Sequence, residues 1–317
     1  MSDGVMLTRS GQMPGAGGRT LWSRTALALL GGASWAAGWA GCVWAASPPA
    51  ASPIPVDVPA LSALPQVDGE LADWGDSGWT DVEIKPAKEN DADNVTGVLK
   101  VRIKAGVAGE RFFFAARWPD PEASTLYRPW KLSGTQYKRS KLRDDMFIVR
   151  FDMGGTYDEC MLSRNDYRVD LWQWSAGRTN PAGLAEDFMH VISATPQENA
   201  AEYEHPEGGM VYIRKIRDAG KPIYDNLDAP AQPNGETLPG IQMLKDPSGS
   251  LADVTARGVW KDGHWHLELS RKLNTGHGDD VNLTALREIR GAIAVFNKGF
   301  AEHKSVSGTL LFRFPSR

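Results

Sequence analysis

From about residue 99 onward the dominant period along the chain is two. Leu99, Val101 and Ile103 alternate with Lys100, Arg102 and Lys104. Phe112, Phe114 and Ala116 share one side of an apolar run that ends at Trp118, and Phe147, Val149 and Phe151 share a face. Trp172 and Trp174 share another. Trp265, Leu267 and Leu269 alternate with His264, His266 and Glu268, and Leu310, Phe312 and Phe314 close the chain. Successive side chains of a strand point to opposite faces, so each run predicts a strand with one buried face. The runs are short and bounded by turn signals such as Lys261-Asp262-Gly263, which predicts an all-β domain, a β-sandwich. Helical periodicity is sparse. Leu283 to Ile289, with Asn282 as its cap, predicts one short helix, and the fold has room for at most one or two. Thr195 to Ser250 is rich in Pro, Gly, Asn and Glu and carries few apolar repeats beyond Met210-Val211-Tyr212-Ile213. It predicts a long loop insertion, of the sort more often functional than accidental.

The N-terminal stretch has a different pattern. Arg9, Arg19 and Arg24 precede an uncharged apolar run from Ala26 to Ala46, and Val43-Trp44-Ala45 ends it on a small residue. Residues 1–46 therefore read as a Sec-type signal peptide, with an uncleaved anchor and a loose lipoprotein box at Trp39-Ala40-Gly41-Cys42 as the rival readings. All three put the folded part outside the cytoplasm, in a periplasmic-type compartment. Residues 47–65, rich in Pro, Ala and Ser, read as a flexible linker, and 66–317 as a single domain.

Composition narrows the chemistry. A hydrophobic fraction of 42% and a net charge of −4 describe a folded chain, and the scattered basic residues give no nucleic-acid footprint. Of the two cysteines, Cys42 lies in the leader, so Cys160 has no partner for an internal disulfide. No Cys-x-x-Cys-His occurs, so covalent haem attachment has no sequence support. The chain carries 12 tryptophans, enough both to fill a core and to line a large flat ligand.

Several blocks occur in a recognisable order. They are Val67-Asp68-Gly69-Glu70 with Trp74, Arg117-Trp118-Pro119-Asp120, Arg128-Pro129-Trp130 and Asp144-Asp145-Met146-Phe147-Ile148. There follow Asp170-Leu171-Trp172-Gln173-Trp174 running on to Arg178-Thr179-Asn180-Pro181, then Trp260-Lys261-Asp262-Gly263-His264-Trp265, and His303-Lys304-Ser305-Val306-Ser307. Together, over roughly 66–314, they resemble the haem-binding domain of the ethylbenzene dehydrogenase gamma-subunit family. The Trp-x-Trp block is the most specific. The Asp-Gly-Glu and Asp-Gly-x-Trp blocks also occur in carbohydrate-binding sandwiches of related shape.

The resemblance implies a non-covalent haem b whose iron takes a Met thioether and a Lys amine from opposite sides. Lys304, before Ser-x-Ser, falls at the lysine position. Met161 is the best-placed methionine, with Met153 one strand earlier as the other candidate. His303 neighbours Lys304 and is itself a competent ligand, and the Cys-His element of some relatives is missing here. Trp172 and Trp174 would wall the haem, and Arg178 could pair with a propionate. A Met/Lys pair fills both axial positions, so the expected role is electron transfer rather than catalysis. The implied partners are the catalytic and iron–sulfur subunits of a molybdenum oxidoreductase of the dimethyl sulfoxide reductase type, or a periplasmic cytochrome. Two other readings stand beside this one. One is a carbohydrate-binding-like module using Trp172 and Trp174 as a sugar platform; the other is a family member that has lost haem. Asp144 and Asp145 read as a turn or strand start.

Overall fold

The computed structural model describes residues 52–88, 91–205, 207–229, 235–299 and 305–315. The expected signal peptide lies outside the described residues, and so do His303 and Lys304.

Fourteen strands form one continuous hydrogen-bonded sheet. They are β1 (Ile54–Asp57), β2 (Thr80–Pro86), β3 (Leu99–Ala108), β4 (Arg111–Pro119), β5 (Met146–Gly155), β6 (Tyr167–Ser175) and β7 (Leu184–Ser193). The series continues with β8 (Ala201–Glu204), β9 (Met210–Arg217), β10 (Val254–Lys261), β11 (His264–Lys272), β12 (Glu288–Phe296), β13 (Ser305–Ser307) and β14 (Leu310–Arg313). Pairing runs β12-β5-β6-β7-β10-β11-β4-β3-β2-β13 and returns to β12. The sandwich is thus joined along both edges into a ten-strand ring, through seams of two or three residue pairs. β14 and β1 branch from β12 on one side, and β9 and β8 extend β7 on the other.

The period-two residues point inward as expected. Val101, Ile103, Phe112, Phe114, Trp118, Phe147, Val149, Phe151, Trp172, Trp174, Leu267, Leu269 and Phe312 all belong to the central core. Aromatic rings meet edge-on there, with Trp172 5.1 Å from Phe151 and Trp174 5.0 Å from Trp265, the arrangement their quadrupoles favour. Trp174 fits only because residue 258 on β10 is glycine: a Cβ at Gly258 would lie 2.3 Å from the indole.

One end of the interior is closed by charge instead of hydrocarbon. Arg271 continues the inward column Trp265, Leu267, Leu269 on β11 and is wholly buried. It bonds Asp170 at 2.7 Å and Asp187 and Asp280 at 3.0 Å each, and its guanidinium lies 4.8 Å from the Trp172 ring centroid.

Three expectations need correction. Residues 47–65 are not all linker, because Ile54–Asp57 is strand β1, paired in parallel with Leu310–Arg313, and Val56 and Val58 are core residues. Alternate hydrophobes inside a Pro-rich stretch outweighed its composition. Leu283 to Ile289 is not a helix. Asn282 accepts the Thr284 N–H in a local turn, Leu283 is tied to Leu273 and buried, and Glu288 already starts β12. Thr195 to Ser250 is not simply loop, since β8 and β9 add a hairpin to the sheet edge. The remaining helical pieces among the described residues are three single 3-10 turns, at Ala72–Trp74, Asn180–Ala182 and Ser250–Ala252. No described helix is long and apolar enough to cross a membrane.

Replacing Arg271 by Ala strands buried carboxylates without their cation. Urea denaturation is expected to show a loss of about 3–5 kcal/mol. A loss under ~1 kcal/mol would mean that Arg271 does not carry this end of the core.

Candidate functional site: a two-faced sheet under an apolar pocket

The strands β5, β6 and β12 are apolar on both faces. Their inward residues fill the core, and their outward residues form a second buried cluster of Met146, Ile148, Leu171, Ala292, Ala294, Phe296 and Val306, with Phe188 packed against it. Strand register sets these side by side. Ala294 lies opposite Ile148 and Ala292 opposite Arg150, while Leu171 pairs with both Arg150 and Phe188. Above this floor is a pocket of about 280 Å³. The small side chains of Ala292 and Ala294 leave the space, and Ile213 on β9, Phe188 on β7 and the loop residues Cys160, Met161 and Leu162 wall it.

The polar groups gather at two ends. At one, Arg178 is buried and pairs with Asp144 at 3.2 Å, with its guanidinium 4.5 Å from the Tyr127 ring centroid. Burial opposes the Arg178 charge, but Asp144 more than offsets it and the pKa is raised. Tyr224 and Glu186 lie alongside; burial raises the pKa of each, and Arg217, bonded to Glu186, acts in the opposite direction on that carboxyl.

At the other end stands Arg150, on β5 and 4% exposed. Its Nη2 donates to the Asp158 carbonyl at 2.9 Å, its guanidinium also reaches the Tyr167 hydroxyl, and Nη1 is buried with no hydrogen-bond partner among the described residues. Among the described residues no carboxylate lies within ion-pair distance of it. Its close neighbours are Tyr157 and Tyr167, whose hydroxyls burial pushes up, that of Tyr167 to about 12. Both are neutral at physiological pH, so Arg150 is a buried cation without a counter-charge. A buried unpaired charge is costly, and an anion entering the pocket would relieve that cost.

The same arginine helps to fix the loop that carries Met161. Besides its bond to Asp158, Asp158 Oδ1 accepts the Cys160 N–H at 2.9 Å, and the Tyr167 hydroxyl donates to the Cys160 carbonyl at 2.8 Å. Met161 is therefore held at the pocket wall, half-buried, beside the free thiol of Cys160.

The expected site residues fall into three groups. Met161 and Arg178 both line the pocket, whereas Met153 does not. Arg178 is already matched by Asp144. Trp172 and Trp174 do not wall the pocket: they sit on the inner face of β6, fully buried in the core, while Leu171 and Gln173 take the outer face. With no exposed indole face they cannot serve as a sugar platform either. Lys304 and His303 lie outside the described residues; they immediately precede Ser305–Ser307, whose Val306 lines the pocket. Asp144 and Asp145 do stand at a strand start, but both are buried acceptors, Asp144 for Arg178 and Asp145 for the Trp265 indole and the Ser124 and Lys298 amides. Sequence reasoning missed Arg150, His190, Lys215 and Tyr224 in the wall. Arg150 left one legible signal, a lone charge inside the apolar run Met146-Phe147-Ile148-Val149-Arg150-Phe151.

Fold and pocket together define an all-β protein, a ring-closed sandwich that carries an apolar pocket on its outer face. Residues 72–307 match the Ethylbenzene dehydrogenase family, and the chain belongs to that family. No curated protein matches the sequence. Among solved structures, the chain is similar to a candidate carbohydrate-binding protein from Bacteroides uniformis, at 8% identity and TM-score 0.40, covering 83% of this chain and 100% of that one. It is also similar to a family 9 carbohydrate-binding module from Caldicellulosiruptor kristjanssonii in complex with glucose, at 11% identity and TM-score 0.34, covering 83% and 96%.

An apolar pocket with an unmatched cation should take up an amphipathic anion. Fluorescence titration with 8-anilinonaphthalene-1-sulfonate is expected to give binding that weakens by roughly tenfold in Arg150→Met, a difference of about 1.4 kcal/mol. Equal affinity in the two proteins would show that Arg150 does not face the bound anion.

Proposed function

We propose that this chain is an exported b-type haem protein that carries electrons, either alone or as the gamma-like subunit of a molybdenum oxidoreductase. The observation that carries this reading is the pocket itself, an apolar slot with the Met161 thioether in its wall and the buried, unmatched Arg150 at one end. Haem b is a flat apolar ring with two carboxylates and an iron that takes soft donors, so the residues present fit the group. When bound, it would supply one-electron exchange.

The protein's own residues have separate tasks in this reading. Met161 would supply the thioether, and Lys304 the second donor, as the family resemblance implies. A lysine donates to a metal only as the neutral amine. Ile148, Leu171, Phe188, Phe296 and Val306 exclude water, which would keep the group in a low-dielectric setting and favour its less charged redox state. Arg150 would pair with a propionate, while Arg178, neutralised by Asp144, shapes the opposite end together with Tyr127. The family is that of a subunit of an enzyme complex, and these residues bind and position a cofactor without acting on a substrate. The export signal in 1–46 supports a periplasmic location.

The test is the optical spectrum of the exported protein, produced with haem supply, before and after dithionite. A sharp Soret band with reduced α and β bands, from haem extractable into acidified organic solvent, is expected. Met161→Ala and Lys304→Ala should each shift these bands toward a high-spin form. Ala292→Phe, which fills the pocket floor without touching a ligand, should abolish haem uptake while preserving the far-ultraviolet circular dichroism. A folded protein that stays colourless with added haemin would overturn the proposal and leave the haem-free family member as the reading.

A further inference from the structure

Beyond the pocket, the acidic end of the ring has a charge balance that Arg271 does not close. Five carboxylates, of Asp170, Asp187, Asp218, Asp279 and Asp280, surround one buried guanidinium. Arg271 bonds three of them and fills the space between Asp170, Asp187 and Asp280. Among the described residues, no cationic side chain lies within ion-pair distance of Asp218 or Asp279. Asp279 accepts the Ser250 hydroxyl at 2.9 Å. Asp218 is only 5% exposed, and neither of its carboxylate oxygens has a hydrogen-bond partner. Carboxylate oxygens of Asp218, Asp279 and Asp280 lie within 4.8 Å of one another.

A buried carboxylate with both oxygens unsatisfied is not a stable resting arrangement in water-excluded protein. We propose that Asp218, Asp279 and Asp280 bind a divalent cation of the calcium type. The donors are all hard oxygens, which select calcium or magnesium over zinc or copper. They come from two turns rather than one rigid element, which suits the flexible coordination of calcium better than the strict octahedron of magnesium. A depression lined by Met189, Gly249, Ser250, Gly276 and Asp279 opens the place to solvent and gives the ion its route.

The backbone around the site is built for close approach. Gly220 and Gly249 sit face to face: a Cβ on Gly220, at φ +152°, would lie 2.0 Å from the Ser248 carbonyl oxygen, and one on Gly249, at φ +83°, 2.6 Å from that of Ala219. These glycines clamp the turn after Asp218 against the segment whose Ser250 holds Asp279. His277 stands beside the site, but its Nδ1 is 2.7 Å from Asp253 and it is 41% exposed, so it belongs to the rim.

Burial, then the charges of Asp279, Asp280 and Asp170, push the Asp218 carboxyl up, and Arg271 acts in part against them.

Isothermal titration of the EDTA-stripped full chain with calcium chloride tests the site. The expected result is one ion per chain and a rise in melting temperature. Asp218→Asn keeps the shape and removes the charge. It should fold at least as stably without metal and bind calcium about a hundredfold more weakly or not at all. His277→Ala should bind calcium as the parent does. Absence of heat and of any melting shift in the parent would overturn the proposal, as would unchanged binding in Asp218→Asn or its loss in His277→Ala.

Discussion

A strand that packs on one face needs an apolar residue at every second position; a strand that packs on both needs them throughout. β5 and β12 are of the second kind, and this two-sided burial is the constraint on which the rest of the structure depends. On the inner side it joins the two layers into one core around Phe147, Phe151, Trp172 and Ile293. On the outer side it leaves a sheet of hydrocarbon that water cannot cover without cost. The chain covers part of it with β9, the 156–166 loop and Phe188, and leaves a slot above Ala292 and Ala294.

Charge placement follows from the same geometry. A buried arginine has to be paid for by a partner, and the two arginines of the pocket differ in this respect. Arg178 has Asp144, reached across the start of β5 from the turn after β6. Arg150 has only a carbonyl and two neutral tyrosines. Arg271 sits at the other extreme, with more carboxylates than it can neutralise. The ring thus holds an excess of positive charge on its outer pocket and of negative charge at its inner end. Each surplus calls for a ligand of opposite sign, and this common logic links the proposed anionic cofactor to the proposed cation site.

Much of the fold was legible because period two is a strong signal where one face is wet. β3, β4, β11 and β14 all lie where alternation put them. Ring closure was not legible, since it depends on which strands meet at the β7–β10 and β2–β13 seams, and each seam is only two or three residue pairs long. The site was legible in part. Met161 was placed by resemblance and does reach the pocket. Trp172 and Trp174 were misplaced because a Trp-x-Trp strand reads alike whether its indoles face a core or a ligand; parity alone does not say which face is inside. The Leu283 turn was misread for a related reason. Four apolar residues in seven fit a helix or a turn running into a strand, and only the pairing of Glu288–Gly291 with β14 decides between them.

The pocket and the acidic end share two strands, back to back. On β7, Glu186, Phe188 and His190 face the pocket while Asp187 faces Arg271. On β6, Leu171 and Gln173 face the pocket while Asp170 and Trp172 face inward. Trp172 lies opposite Asp187 in register, and Leu171 opposite Phe188. A pleated strand has no slack between adjacent residues, so whatever fixes Asp170 and Asp187 also fixes the outer side chains one position away. The buried salt bridges then have a role apart from their uncertain contribution to stability. They hold the two central strands of the pocket floor in one register, and a register slip of one residue would exchange Leu171 for Trp172 and put a carboxylate into the slot. The inner charges keep the outer face apolar, and that face makes the pocket.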